Sequence, residues 1–231
     1  MRHQQRIWEI DFARGLAIII MIIFHLIVDL TDFFGYKFNY LSGFWYYFGK
    51  VGAIAFIAIA GISACLNRRL LRHGLTIGGW ALVLTAVTYV YNPQTYIRFG
   101  ILHLLSTSII IYRALASIRP KLLLPTAALI CALGPIVDRQ TVPTSLLLPL
   151  GFTPPSFVTM DYYPLLPWFG VFLLGVSAGQ WLGFRPGRLE IRTVPRPAQP
   201  ITWLGRHSLW IYLLHQPLLL MLLTLLHLNW R

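Results

Sequence analysis

Acidic side chains are scarce in this chain: 231 residues carry seven Asp and Glu, and charged residues of both signs make up only 11%. Soluble domains run near one quarter charged, so a water-facing surface of ordinary extent is excluded. Cysteine is also sparse. Cys65 and Cys131 both lie in apolar runs, and no disulfide framework follows from them. No zinc-ligand spacing, phosphate-cradling glycine loop, internal repeat or low-complexity segment is present, and no metal is expected. Gly78-Gly79 and the other scattered glycines read as helix packing. No small-residue cleavage site follows the first apolar run, which is therefore expected to remain as an uncleaved span.

Apolar residues are abundant instead, at 57% of the chain. That composition predicts an all-α polytopic membrane protein. The net charge of +12 could suggest nucleic acid, but the arginines form short clusters between hydrophobic runs. The positive-inside rule accounts for them without a nucleic-acid partner. A span needs roughly 20 mostly apolar residues. The chain divides into about seven transmembrane helices, near 11–30, 45–66, 75–92, 99–117, 121–137, 163–183 and 203–228, in a single domain over 1–231. Arg2 and Arg6 precede the first; Arg68, Arg69 and Arg72 follow the second. Arg113, Arg119 and Lys121 surround the turn after the fourth, and Arg185, Arg188, Arg192 and Arg196 fill the linker after the sixth. All fall on one side if the N-terminus is cytoplasmic and the C-terminus extracytoplasmic.

The first hydrophobic stretch carries Asp11, Arg14, His25 and Asp29. On an ideal helix Arg14 and His25 lie three turns plus roughly 20° apart, and Asp11 and Asp29 each lie about 40° from His25. The four share one stripe roughly 27 Å long. Ionisable groups at membrane depth usually face a bundle interior or a wet cavity. Two readings stay open: an Asp11–Arg14 anchor with a satisfied buried His25, or a polar track through the membrane. The first outer loop, residues 31–44, and its flank are dense in Phe, Tyr and Trp, as an interfacial belt or a sugar-stacking platform would be. Gly52, Ala53, Ala60, Gly61 and Ser63 in the second span form a small-residue packing face. Asp161, just before the sixth span, reads as a cap for that helix. Ser208 and His215 fall within about 20° of one face of the last span, and Pro217 should bend it.

The stretches RIWEIDFARGLAIIIMIIFHLIVDL, RFGILHLLS, DYYPLLPWFGVFLLG and LGRHSLWIYLLHQPLL resemble the bacterial heparan-α-glucosaminide N-acetyltransferase catalytic-domain family. The spacing of Arg14 and His25 also resembles the first-helix signature of the acyltransferase-3 family. The resemblance implies a multi-pass acyltransferase of the inner (plasma) membrane. It would move an acetyl group from cytoplasmic acetyl-CoA to a hydroxyl or amine of a sugar or envelope glycan on the far side. The lysosomal branch of the first family is longer, has asparagine at the position of His25, and places its catalytic histidine in the following loop. Residues 31 to 44 contain no histidine here, so His25 is the base by analogy with the acyltransferase-3 group.

Acyl transfer needs a base for the acceptor's proton and a donor for the developing oxyanion. The candidate catalytic set is His25, with Asp29 one turn away to hold its tautomer, and Arg14 to hold CoA phosphates or stabilise charge. Asp11, Arg98, His103, Asp161 and His215 form the candidate substrate-binding set. Acetyl-CoA, a sugar or glycan acceptor and the bilayer are the expected partners, and a homo-oligomer is open. One competing class binds haem or a metal through His25, His103 and His215; another transports a small polar solute. The topology has its own test. Ser145→Cys in intact cells should be labelled from outside by an impermeant thiol reagent and Ala198→Cys should not; the reverse pattern would overturn the assignment.

Overall fold

The computed structural model describes residues 7–115, 120–185 and 193–228. Arg2, Arg6, Arg119, Arg188 and Arg192, counted above in the basic clusters, lie outside the described residues. Among those described the fold is all-helical: α1 (Trp8–Asp32), α2 (Gly43–Ala64), α3 (Leu70–Tyr91), α4 (Ile101–Ala114), α5 (Pro120–Val137), α6 (Leu165–Trp181), α7 (Gln199–Arg206) and α8 (Ser208–Leu228). Short 3-10 turns cover Leu148–Leu150 and Arg196–Ala198. Every hydrophobic segment expected to span is helical. Four helices, α1, α2, α3 and α8, are long and apolar enough to cross a membrane, whereas α4, α5 and α6 are apolar but shorter.

The last segment differs from the expectation of one helix over 203–228. Arg206 and His207 interrupt the apolar run, and the chain breaks there into α7 and α8. The His207 N–H donates to the Trp203 and Leu204 carbonyls, both at 3.2 Å, closing α7, while its own carbonyl accepts from Ile211 at 3.0 Å and opens α8. α8 then runs on through Pro217.

The helices pack as two compact units, Met1–Phe56 with Leu189–Arg231, and Ile57–Arg188. In the first, α1 lies against α7 and α8. Its helices approach backbone to backbone. A Cβ at Gly15 would fall on the Ile201 carbonyl, and one at Gly205 on the Asp11 carbonyl. Gly49 and Gly52 on the first part of α2 admit Phe24 and Ile20 of α1 in the same way, with a Cβ meeting them at 2.7 and 2.6 Å. Small residues thus let these helices close to van der Waals contact.

The second unit uses the same device. Gly61 of α2 lies on the Phe172 carbonyl and Gly175 of α6 on the Ala58 carbonyl. Gly78 of α3 faces Ser106 Oγ, which donates to the Gly74 carbonyl at 2.9 Å. Ile57, Leu104, Phe172 and Val176 are fully enclosed at its centre. The small-residue face expected on the second span is therefore a packing surface, shared between α1 contacts at Gly52 and α6 contacts at Gly61. Gly79 is an exception, with Gly35, Gly43 and Gly183: a Cβ at any of the four meets nothing within 4 Å, so their reading as packing glycines is corrected.

This contrast sets an expected outcome. Gly205→Ala should destabilise the protein by overpacking, about 1–3 kcal/mol or more because the obstacle is a backbone carbonyl. Gly79→Ala should be neutral or slightly stabilising, since Ala outranks Gly in a helix interior by about 1 kcal/mol. Thermal unfolding in detergent checks both, and equal midpoints for the two variants would refute the packing account.

Candidate active site

The polar stripe of α1 is covered at both ends by the C-terminal helices. At its N-terminal end, Asp11 is 5% exposed and sits between two guanidinium groups. Arg14 Nη1 donates to its Oδ1 at 3.2 Å, and Arg206 Nε of α7 stands 3.4 Å from its Oδ2. Arg14 Nη1 also reaches the Gly205 carbonyl at 3.4 Å. The Asp11–Arg14 pair foreseen as an anchor is therefore formed, and it ties α1 to α7. Sequence reading missed Arg206. The signal available was its place in LGRHS, a cation ahead of a long apolar helix with no acid of its own nearby. Asp11 therefore keeps one cationic partner when either arginine is lost.

Four turns along, the arrangement changes. His25 Nδ1 lies 2.9 Å from the Met21 carbonyl. A carbonyl only accepts, so Nδ1 carries the hydrogen, and a neutral ring keeps its lone pair on Nε2. The pairing expected between His25 and Asp29 is not made. Asp29 points at α8, where its Oδ1 accepts from Gln216 Nε2 at 2.6 Å. The backbone turn beneath His25 already fixes the tautomer, which leaves the carboxylate to another partner. His215 repeats the device: its Nδ1 donates to the Tyr212 carbonyl at 2.7 Å. The two imidazoles meet edge to face, with centroids 4.8 Å apart and planes at 83°.

The result is an unbalanced cluster. Asp29 is 1% exposed and His215 9%, yet Asp29 Oδ2, His215 Nε2 and Gln216 Oε1 are buried without a hydrogen-bond partner among the described residues. Since Gln216 donates through Nε2, its free atom is an acceptor, as are the other two and His25 Nε2. Leaving a buried polar group unmatched costs about 1–3 kcal/mol, so several together mark a place built for something that donates hydrogen bonds. Gln216 was absent from the expected set; its position beside His215 was the only hint.

The loop after α1 closes over this end. Tyr40 OH donates to the Asp32 carboxylate at 2.8 Å and its ring meets Phe24 edge-on. Burial and then the Asp32 carboxylate push the Tyr40 phenol up, so it remains a donor at neutral pH. Tyr36 and Phe38 stack with centroids 6.1 Å apart, and Phe34 packs on His227 of α8.

Arg98, His103 and Asp161 belong to the second unit, where they surround the start of α4. Asp161 does not cap α6, the helix that follows it; its Oδ2 accepts from the Ile101 N–H at 2.9 Å and so caps α4. α6 begins at Pro164 with no side-chain cap. The sequence-local cap was the wrong one because the loop folds back over a helix sixty residues away. Gly100 N–H donates to His103 Nδ1 at 3.2 Å, so His103 carries its hydrogen on Nε2, which meets Thr85 Oγ1 at 3.1 Å. Both ring nitrogens are engaged. Arg98 precedes the helix, its guanidinium 4.9 Å from the Tyr96 ring and 5.3 Å from that of Phe157. Tyr162 OH donates to the Leu148 carbonyl at 2.8 Å, and burial followed by Asp138 pushes this phenol up to about 12.

Chemically, the first unit offers a half-buried imidazole with its basic nitrogen free, beside a carboxylate and two further acceptors, His215 Nε2 and Gln216 Oε1. With ring centroids 4.8 Å apart, His25 and His215 are too close for a macrocycle to lie between them as axial ligation by that pair requires. Among the described residues, no three His, Cys, Asp or Glu converge as metal ligands would.

Comparison with curated proteins and with solved structures yields no match. A family model does match, described as heparan-alpha-glucosaminide N-acetyltransferase, catalytic, and it covers residues 6–217. That match takes in both ends of the α1 stripe and the His215–Gln216 pair of α8, and the chain belongs to this family of membrane acetyltransferases.

Proposed function

We propose that this membrane protein transfers an acetyl group from cytoplasmic acetyl-CoA to a hydroxyl or amine of a sugar or envelope glycan on the extracytoplasmic side of the inner (plasma) membrane. The observation that supports the reading best is the state of His25. A backbone carbonyl holds its Nδ1–H, and its Nε2 is free to accept a proton beside the buried acceptors of Asp29, His215 and Gln216.

The reaction follows from that arrangement. The acceptor's O–H or N–H donates to His25 Nε2 as its oxygen or nitrogen attacks the thioester carbonyl. The proton moves to the imidazole, and negative charge develops on the carbonyl oxygen. Collapse of the tetrahedral adduct breaks the carbon–sulfur bond and expels the CoA thiolate, which recovers the proton from the imidazolium. The products are the acetylated acceptor and CoA thiol. Asp29 serves as a nearby negative charge that steadies the imidazolium. Arg14, roughly 16 Å from His25 along the same face, is the candidate for the donor's phosphates, because a guanidinium matches phosphate in a planar fork. In the first unit Asp11 and His215 remain proposed substrate-binding residues, with His215 the one that touches His25; in the second unit Arg98, His103 and Asp161 are proposed as binding residues in their own right.

Two outcomes are expected. In proteoliposomes given acetyl-CoA with glucosamine or methyl glucoside, His25→Ala should insert normally and lose roughly 10²–10⁴ in transfer rate. Near-wild-type turnover would remove His25 from the mechanism. Arg14→Lys should raise the KM for acetyl-CoA with the acceptor KM unchanged, since lysine keeps the charge and loses the fork. Unaltered acetyl-CoA dependence in Arg14→Lys, with poor folding in Arg14→Ala, would leave Arg14 as an anchor for Asp11 and α7.

A further inference from the structure

Gln216 is placed by the same α8 turn as His215 and reaches across to α1, where its amide nitrogen lies 2.6 Å from Asp29 Oδ1. This is a short bond to a carboxylate that is 1% exposed, and charge-assisted bonds of that kind are the strong ones. It has two geometric consequences. Asp29 Oδ2 and Gln216 Oε1 are both left buried without a hydrogen-bond partner among the described residues. His215 Nε2, one residue back on α8, is the third such atom. An amide donates to Asp29 through its nitrogen and adds a separate acceptor, its carbonyl oxygen, at the same place without adding charge.

We propose that Gln216 is a positioning residue for the transfer reaction: by clamping Asp29 it fixes the carboxylate beside the His25–His215 pair and completes an acceptor-rich subsite for a substrate that presents several hydrogen-bond donors. This rests on the reading of His25 as the base. A polyol or amino sugar meets the requirement, because each hydroxyl or amine brings a donor to an atom that has none. An acceptor stripped of its neighbouring hydroxyls fails it. The clamp acts on the acceptor side of the reaction at His25, so it should leave the binding of acetyl-CoA untouched.

The test compares Gln216→Leu, similar in size without the donor, and Gln216→Asn, which keeps the amide on a shorter arm, with wild type and His25→Ala in proteoliposomes. Substrates are acetyl-CoA with glucosamine or methyl glucoside. A parallel arm needs no turnover: the rate at which dicyclohexylcarbodiimide, a reagent for carboxyls in apolar surroundings, labels Asp29, read by mass spectrometry. Gln216→Leu should lower kcat about 10- to 100-fold and raise the acceptor KM, with the acetyl-CoA KM within twofold of wild type. Gln216→Asn should recover part of the loss. Asp29 labelling should rise severalfold in Gln216→Leu. Rates within twofold of wild type in both variants, with His25→Ala inactive, would overturn the role of Gln216 alone, as would unchanged labelling of Asp29. An equal rise in both KM values would also overturn it, since a general loosening of the fold predicts that pattern. Transfer that does not depend on His25 would sink the functional reading first, and the subsite with it.

Discussion

A carboxylate enclosed by apolar helices has to be matched, and α1 carries two of them. The cost of moving an ion out of water is several kcal/mol even after relaxation, so each buried acid dictates what must lie opposite. Asp11 recruits two guanidinium groups, one from its own helix and one from α7. Asp29 recruits a neutral amide from α8. The glycines follow from this demand. Arg206 can reach Asp11 only if α7 comes within backbone contact of α1, which is what Gly15 and Gly205 permit. The charge pattern of one helix therefore sets the position of the two C-terminal helices.

Hydrophobicity made the helical segments legible, because a run of apolar residues long enough to cross a bilayer has few other ways to satisfy its backbone. The stripe on α1 was legible for a similar reason: helical period is fixed, so Asp11, Arg14, His25 and Asp29 had to share a face. What periodicity could not supply was the partner across the interface. Arg206, Gln216 and the Asp161 cap on α4 are contacts between residues 195, 187 and 60 positions apart, and one helix's wheel says nothing about its neighbour. The split of the last segment into α7 and α8 was missed because averaging over 203–228 hides two polar residues at 206 and 207. The carboxylate–imidazole pair failed for a local reason. At spacing i to i+4 a side chain can also bond the preceding turn's carbonyl, and His25 did so at Met21.

The three histidines of the apolar helices α1, α4 and α8 separate on hydrogen bonding alone. His103 has a donor on one nitrogen and a hydroxyl on the other, which makes it a piece of the α4 start. His25 and His215 each bond one backbone carbonyl through Nδ1. A sequence reading that ranks them by depth in an apolar run treats them alike; the chemistry left over after folding does not.

That remainder is the best guide to where chemistry takes place on α1. At its N-terminal end charges are balanced two against one, and the groups hold helices together with no unmatched demand except a long contact at Asp11 Oδ2. Toward its C-terminal end the account is different. One N–H of the Gln216 amide is committed to Asp29, and both imidazole N–H groups are committed to carbonyls. Acceptors remain on Asp29, His215, Gln216 and His25. A fold gains nothing in stability from such an excess, and a hydrophobic replacement would relieve it. Retained inside a largely apolar helix pair, the excess has its simplest explanation in a bound partner that supplies donors, and a proton that one of those donors gives up is the proton an acyl transfer must remove.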